Sequence, residues 1–370
     1  MVPTMFKVMR KPLLHECSRW ISVGLVVMTA AIATPSLARH HCNDDLRFNN
    51  DGTFTIVQFT DIQDDEDIDL RTVLLIEAVL DDQSPNLVVF TGDNIRSGCD
   101  TPDEVQMAIN NFAEPVDSRH IPWFITYGNH DEDSMPNSGL DENDMLKIYM
   151  SYRYNINKPG PRGVDGTGNM YTLIKSAHGQ RPVYNIWGLD SGRYAPQEID
   201  GQLLADDTRF PEWENRLPGW DWIKPSQIKW YMSTSEYLEH TWQQKIPSLM
   251  FFHIPLWEFV YMWENSEAHD VIGEKNESVC PGPFNSGLFT AMLQRGDVKG
   301  VFVGHDHVNN FVGNYFGITL GYSANAGFGT YGLDGAERDR LRGARVFVLR
   351  ESDLNTFETY MVYALDYGIQ

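Results

Sequence analysis

The sequence has few cysteines and few basic residues. Only four cysteines occur in 370 residues, and no two of them have the C-x-x-C spacing of zinc-thiolate sites. Lysine and arginine number 29 against 51 acidic residues, which gives a formal net charge of -22. This excess of negative charge repels the phosphate backbone of nucleic acids and anionic membranes. We therefore expect no nucleic-acid partner.

Long hydrophobic runs are scarce as well, and the longest lies at the amino terminus. Basic residues up to Arg19 precede an apolar run from Trp20 to Ala33, and small residues follow up to Ala38. The run is shorter than the roughly 20 residues that a membrane-spanning helix needs. The pattern predicts a secretory signal over residues 1–38 and one domain over 39–370. We expect a secreted or extracytoplasmic protein without a stable membrane anchor; an uncleaved anchor is the alternative.

Export would determine the state of the cysteines. Cys17 would leave with the signal, so that Cys42, Cys99 and Cys280 remain in the mature chain. In an oxidising compartment this odd number predicts one disulfide and one free thiol, and the sequence leaves the pairing open.

The rest of the chain alternates between strand-like and helix-like segments. β-branched and aromatic runs at 54–60 and 86–92 flank residues 70–82, whose apolar positions recur at helical spacing, so a βαβ unit is predicted. Thr101 and Glu104 predict a capping box at the start of the next helix, before a strand at 122–128. Later strand-like runs, several with alternating polarity, indicate a second sheet. The sequence over residues 132–169 predicts a long loop that contains one short helical segment.

Potential metal ligands follow five of the predicted strands. The segments are FTDIQ (Asp61, Gln63), FTGDN (Asp93), YGNHD (Asn129, His130, Asp131), FFHIP (His253) and VGHDH (His305, His307). Because the carboxyl ends of strands gather at one edge of an α/β sheet, these side chains can meet there. Carboxylate, imidazole and amide groups could together hold two divalent cations about 4 Å apart.

These five segments resemble the motifs of the calcineurin-like metallophosphoesterases. The resemblance extends from Thr53 to about Ala364 and is closest to the small, non-purple relatives of the purple acid phosphatases. The longer segments KPGPRGVDGTGNMYTL, WGLDSG, WIKPSQIKWY and GHDHVNNFVG carry that closer likeness. It implies an α/β fold, a four-layer α/β/β/α sandwich of two mixed sheets with the metal site at the carboxyl ends of the strands. It also implies a phosphoric ester hydrolase that uses a hydroxide between two metal ions.

The resemblance further implies a role for each motif residue. The first metal site would comprise Asp61, Gln63, Asp93 and His307, and the second Asp93, Asn129, His253 and His305. His130 would face the substrate, where its imidazole could donate a proton to the leaving alkoxide or stabilise the charge of the phosphoryl group, and Asp131 is expected to orient its ring. Asn94 and Arg96 are the expected substrate contacts.

The sequence departs from the family pattern at two positions. Gln63 stands where members generally have histidine, and its amide oxygen is a weaker ligand than imidazole, so we expect a loosely held first metal. Arg96 stands where the purple enzymes place the tyrosine that binds ferric iron. We therefore expect two divalent ions such as manganese, zinc or ferrous iron.

Three functions remain open from the sequence. The leading hypothesis is a phosphomonoesterase acting on a small phosphate ester. The second is a phosphodiesterase of the same fold that acts on a small or lipid-headgroup diester. The third is a catalytically weak metal-binding protein, for which the neutral ligand Gln63 is the only support.

Overall fold

The structure is a computed structural model that describes residues 45–203 and 219–370. These residues belong to one folded unit, His41–Gln370. The predicted secretory signal over residues 1–38 lies outside the described residues, as does Cys42.

The described residues form fourteen β-strands and seven α-helices. The strands are β1 (Leu46–Arg47), β2 (Thr53–Phe59), β3 (Leu87–Thr91), β4 (Trp123–Thr126), β5 (Met170–Lys175), β6 (Pro182–Gly188), β7 (Glu198–Ile199), β8 (Gln202–Leu203), β9 (Ser248–Phe251), β10 (Val298–Val303), β11 (Val312–Tyr315), β12 (Ile318–Tyr322), β13 (Gly343–Arg350) and β14 (Asp353–Tyr363). The helices are α1 (Leu70–Gln83), α2 (Pro102–Asp117), α3 (Met135–Ser138), α4 (Glu142–Tyr149), α5 (Pro225–Trp242), α6 (Trp257–Glu264) and α7 (Leu288–Arg295).

The predicted βαβ unit is present. β2, β3 and β4 pair in parallel, with α1 and α2 as the connections between them. The Asp69 side chain accepts the backbone N–H of Arg71 and so begins α1. Thr101 and Glu104 form the expected capping box of α2, in which each side chain accepts a backbone N–H of the other residue.

Two mixed sheets carry most of the strands. The five-stranded sheet has the order β14-β13-β2-β3-β4, and the seven-stranded sheet has the order β1-β5-β6-β9-β10-β12-β11. In the larger sheet β6, β9, β10 and β12 are parallel to one another. Both sheets therefore present the carboxyl ends of several neighbouring parallel strands.

The hydrophobic core is divided into layers. Apolar side chains such as Ile56, Phe124, Phe251 and Phe302 fill the space between the two sheets. The outer face of the smaller sheet packs against α1 and α2, and that of the larger sheet against α5, α6 and α7. This arrangement confirms the expected α/β/β/α sandwich.

Two further observations concern membrane-spanning helices and cysteines. Within residues 45–203 and 219–370 we find no helix that combines the length and apolarity needed to cross a bilayer. Cys99 is a buried free thiol, so it is not part of the expected disulfide.

Candidate metal centre

The seven expected metal ligands all lie just beyond strand ends. Asp61 and Gln63 follow β2, Asp93 follows β3, Asn129 follows β4, His253 follows β9, and His305 with His307 follows β10. The two sheets are joined there, because the Gln58 amide donates to the carbonyl oxygen of Val303 at 3.1 Å. The carboxyl edges of both sheets therefore supply one site.

Short distances bring the acidic and imidazole ligands together. Single ligand atoms of Asp61, Asp93 and His307 lie within 4.8 Å of one another. His253 Nε2 lies 3.3 Å from Asp93 Oδ2, and the same nitrogen lies 3.3 Å from His305 Nδ1. All five side chains are buried. A cluster of buried carboxylate and imidazole groups of this kind is typical of sites that bind divalent cations.

The amide of Asn129 gives an independent indication that the residues fit a cation. Its side chain is buried, yet neither its oxygen nor its nitrogen has a hydrogen-bond partner among the described residues. Leaving a buried polar atom unpaired costs about 1–3 kcal/mol, so such atoms usually bind a partner or have a function. An amide oxygen that ligates a cation would remove this penalty, and the residues therefore fit a metal site.

The orientation of His253 also suits metal binding. Its Nδ1 donates to the carbonyl oxygen of Thr91 at 2.8 Å, which fixes the tautomer and leaves the Nε2 lone pair for a cation.

Backbone strain is concentrated at the ligands. Asp61, Gln63, Asp93 and His305 have φ angles of 52°, 42°, 49° and 76°, in the left-handed region that few residues other than glycine adopt. Strained residues of this kind cluster at functional sites, where the surrounding structure holds them in place. The backbone therefore bends sharply at the points where it presents its ligands.

Gly304 allows the loop after β10 to approach Asp61. A Cβ atom at this position would lie 1.9 Å from Thr60 Oγ1 and 2.7 Å from Asp61 Oδ2. The close approach lets the backbone N–H of His305 donate to Asp61 Oδ2 at 3.1 Å.

Gln63 lies at the edge of the cluster. Its side-chain oxygen accepts the hydroxyl hydrogen of Thr330 at 2.5 Å, and one lone pair is thereby used. On the same side, the ring of Tyr331 stacks on that of His307 with a centroid distance of 3.9 Å. The segment that carries Thr330 and Tyr331 therefore contacts two of the expected ligands of the first metal, Gln63 and His307.

The buried charges shift the pKa values of the ligands. Burial alone would raise the pKa of Asp93, but the neighbouring His253 and His130 hold it well below its usual range. Burial opposes the charge of His253, yet Asp93 raises the pKa of this imidazole to about 10. Burial and the adjacent His253 keep the pKa of His305 well below its usual value. A metal ion bound by Asp93 and His253 would compete with a proton for this pair.

His130 has a different carboxylate partner from the one expected. Its Nδ1 lies 2.5 Å from Oδ2 of Asp133, whereas we expected Asp131 to orient the ring. The Asp131 carboxylate instead accepts the backbone N–H groups of Gly128, Asn94 and Ile95 at 2.7, 2.8 and 3.2 Å. Asp131 thus fixes the loops after β3 and β4, and its expected contact with His130 is wrong.

The sequence of the chain matches a known family. Residues 54–309 match the family model of the calcineurin-like phosphoesterases. The chain belongs to this family. It is therefore a metallophosphoesterase, a hydrolase acting on phosphoric esters, and the Asp and His cluster supports a site for divalent metal ions.

Three relatives illustrate the similarity. The metallophosphoesterase is 33% identical to "Probable inactive purple acid phosphatase 14" of Arabidopsis thaliana, over 81% of this chain and 77% of the relative. It is 34% identical to "Probable inactive purple acid phosphatase 29" of the same plant, over 84% of this chain and 79% of the relative. It is 30% identical to "Phosphatase DCR2" of Saccharomyces cerevisiae, over 72% of this chain and 46% of the relative.

The two expected substrate contacts of the metallophosphoesterase have other partners. Asn94 is buried, and its amide group donates to the Thr126 carbonyl oxygen at 3.0 Å and to Asp131 at 3.3 Å. Both of its N–H donors are used, so the expectation that Asn94 binds substrate phosphate is wrong. Arg96 lies 2.7 Å from an oxygen of Asp65, and its side chain is 40% exposed. Its expected role as a substrate contact stays a prediction.

Two residues from the loop after β6 also lie around His130. The sequence analysis did not predict their role. Arg193 donates to Asp133 Oδ1 at 2.7 Å and to the carbonyl oxygen of Asn129 at 3.2 Å. The Tyr194 hydroxyl lies 3.3 Å from both oxygens of Asp133. The segment WGLDSG ends just before Arg193 and Tyr194. Its pattern does not indicate which other loop these two residues will contact.

Proposed function

We propose that the protein is a secreted phosphomonoesterase that works with two divalent metal ions. The observation that carries this proposal is the convergence of ligands from five strand ends on a buried cluster with an unpaired amide at Asn129. Secretion is supported by the basic, apolar and small-residue pattern over residues 1–38.

In this proposal Asp93 belongs to both metal positions. The first metal position would comprise Asp61, Gln63, Asp93 and His307, and the second Asp93, Asn129, His253 and His305. The 3.3 Å separation of His307 Nε2 from Asp61 Oδ1 supports the first set, and that of His253 Nε2 from Asp93 Oδ2 supports the second. When bound, two such ions polarise the phosphoryl group and lower the pKa of bound water. We expect manganese, zinc or ferrous iron at these positions.

His130 is the proposed proton donor of the chain. Although burial opposes its charge, Asp133 and Asp93 raise the pKa of this imidazole above its usual value, so a larger fraction carries a proton at neutral pH. With Nδ1 bound to Asp133, Nε2 is the ring nitrogen left to donate to a leaving oxygen.

The proposed substrate is a small phosphate ester. The phosphatase names of the three relatives favour monoesters. A formal charge of -22 disfavours polyanionic substrates such as nucleic acids. The second candidate is hydrolysis of a small or lipid-headgroup diester, because the same metal ligands serve both reactions.

A catalytically weak metal-binding protein is the third candidate. The hydrogen bond from Thr330 to the neutral oxygen of Gln63 favours it, because this ligand is weak and already partly engaged. Two of the relatives also carry the word inactive in their names.

Hydrolysis of a chromogenic phosphomonoester and of the matching diester tests the proposal. The mature protein is stripped of metal with a chelator and resupplied separately with manganese, zinc or ferrous iron. An Asp93→Asn variant serves as the control, since it removes the carboxylate shared by both metal positions. We expect metal-dependent turnover that favours the monoester and falls at least about 100-fold in the variant, the range that removal of a key electrostatic group costs.

The possible outcomes separate the three candidates. A preference for the diester would replace the monoesterase with the second candidate. Stoichiometric metal binding without turnover of either ester, with each of the metals, would support the third candidate, the catalytically weak metal-binding protein.

A further inference from the structure

His130 and Asp133 form a pair that lies outside the proposed metal ligands. The distance between His130 Nδ1 and Asp133 Oδ2 is 2.5 Å, and both side chains are largely shielded, with exposed fractions of 33% and 21%. Asp133 lies three residues after His130, in the turn that follows β4. Asp133 is therefore placed to set the direction of the imidazole without contacting a metal ion.

Asp133 is itself held by two residues from the other sheet. Arg193, in the loop after β6, donates to Oδ1 of Asp133 at 2.7 Å and to a carboxylate oxygen of Glu132 at 2.5 Å. The Tyr194 hydroxyl lies 3.3 Å from both oxygens of Asp133 and 3.4 Å from His130 Nδ1. With cation and hydroxyl contacts on one carboxylate, Asp133 has little freedom to change rotamer.

The same arginine connects this pair to the metal centre. Arg193 Nε donates to the backbone carbonyl of Asn129, the expected ligand that directly precedes His130. The backbone N–H of His130 in turn donates to Asp93 Oδ1 at 2.8 Å. The backbone of His130 is thus held by Asp93, and its ring is held by Asp133. This geometry leaves Nε2 as the nitrogen available to a substrate.

We propose that Asp133 is a positioning residue for His130, and that the pair adapts the site to phosphate esters of alcohols, whose alkoxide leaving groups need a proton. The inference rests on the proposed function and narrows its substrate class. Esters of nitrophenols need no such donor, because their leaving groups are stable as anions.

The reaction balances with groups of the site and solvent alone. A water oxygen forms a bond to phosphorus, and the ester P–O bond breaks with its electron pair moving to the leaving oxygen. The proton on His130 Nε2 passes to that oxygen and releases an alcohol. The proton lost by the attacking water returns to His130 through solvent, so the products are alcohol and inorganic phosphate.

A series of phosphomonoesters with progressively poorer leaving groups, from nitrophenyl to alkyl, tests the inference on the metal-loaded protein. For the wild type we expect kcat/KM to depend only weakly on the leaving group. In Asp133→Asn we expect a loss of roughly 10- to 100-fold for alkyl esters, at or below the lower limit of what a positioned proton donor contributes, and less than about threefold for nitrophenyl esters. Metal content, measured by elemental analysis, should match that of the wild type.

Matched variants distinguish positioning from general damage. Asp270→Asn makes the same chemical change at an exposed residue that already has a left-handed φ of 49°, which asparagine tolerates, and should leave every ester unaffected. Tyr194→Phe removes the hydroxyl contact to Asp133 and should reproduce the selective loss on a smaller scale; it replaces Asp133→Asn if that variant does not fold.

Two results would overturn the inference while leaving the proposed function in place. One is an equal loss for nitrophenyl and alkyl esters in Asp133→Asn and Tyr194→Phe, which would indicate a structural role. The other is a steep leaving-group dependence in the wild type, which would indicate that no proton is donated. If the wild type cleaves no ester at all, the proposed function itself fails, and the inference fails with it.

Discussion

At the scale of single residues, the unusual feature of the centre is Gln63. The other six expected ligands are carboxylates, imidazoles or the unpaired amide of Asn129. Gln63 is neutral, has a left-handed φ of 42°, and already accepts a hydrogen bond from Thr330. The strained backbone indicates that the surrounding structure holds residue 63 in this place, although its side chain is a weak metal ligand.

Replacing Gln63 by histidine should strengthen the first metal position. Imidazole is a better ligand than an amide oxygen for manganese, zinc or ferrous iron, so we expect the Kd for the weaker of two metal ions to fall by about tenfold or more, the scale on which changes at a metal site act. Titration of the metal-stripped protein by calorimetry measures this, with Thr330→Val as a control that removes only the hydrogen bond. An unchanged Kd in Gln63→His would argue that this side chain does not ligate metal.

The site residues also show what the sequence could and could not predict. Each expected ligand is recognisable because it directly follows an apolar strand, and strand ends of parallel sheets meet. The partner of His130 was not recognisable, since acids follow it at positions 131, 132 and 133 and only the turn after β4 decides which one reaches Nδ1. Arg193 and Tyr194 lie about 60 residues further along the chain, and only the packing of the two sheets brings them to Asp133.

At the scale of elements, the two sheets are held together by more than apolar packing. Arg345 on β13 of the smaller sheet is buried, and it donates to the carbonyl oxygens of Tyr322 and Asn310 at 2.7 Å each. Tyr322 ends β12 of the larger sheet, and Asn310 lies in the loop that begins with the ligands His305 and His307. Burial lowers the pKa of Arg345 to about 10, so it stays protonated at neutral pH.

Removing this guanidinium should destabilise the fold. In Arg345→Met two buried carbonyl groups lose charged donors, and we expect a loss of about 2–4 kcal/mol in the free energy of unfolding. Arg350→Met is the matched control on the same strand, because its side chain is 51% exposed and its ion pair with Glu358 is worth less than about 1 kcal/mol. Chemical denaturation of both variants measures the difference. Equal stability of the two variants would contradict a structural role for Arg345.

The elements themselves were largely predictable, because each carries a local signal. The apolar runs at 54–60 and 86–92 and the helix between them became β2, β3 and α1, with each bound shifted by at most one residue. The helical patch expected within residues 132–169 is α4, Glu142–Tyr149. The pairing of β1 with β5 could not be predicted, since β1 has two residues and no periodicity to read.

At the scale of the whole molecule, negative charge dominates. A formal charge of -22 raises the electrostatic cost of the compact state, and the buried carboxylates of the metal centre add to it locally. Divalent cations would neutralise the centre and bind only the folded chain, because the five strand ends come together only there. Metal binding and folding stability are therefore linked.

Removing metal should lower the stability of the intact protein. A ligand present at 100 times its Kd stabilises a fold by about 2.7 kcal/mol, which corresponds to a rise in Tm of roughly 5 °C for a domain of this size. We expect scanning calorimetry to show this rise when manganese or zinc is added to the stripped protein, and a chelator to reverse it. Asp93→Asn should lose most of the increment because it removes the carboxylate shared by both metal positions, whereas Asp270→Asn should keep it. The same rise in Asp93→Asn and the wild type would mean that the stabilising ions bind elsewhere on the acidic surface.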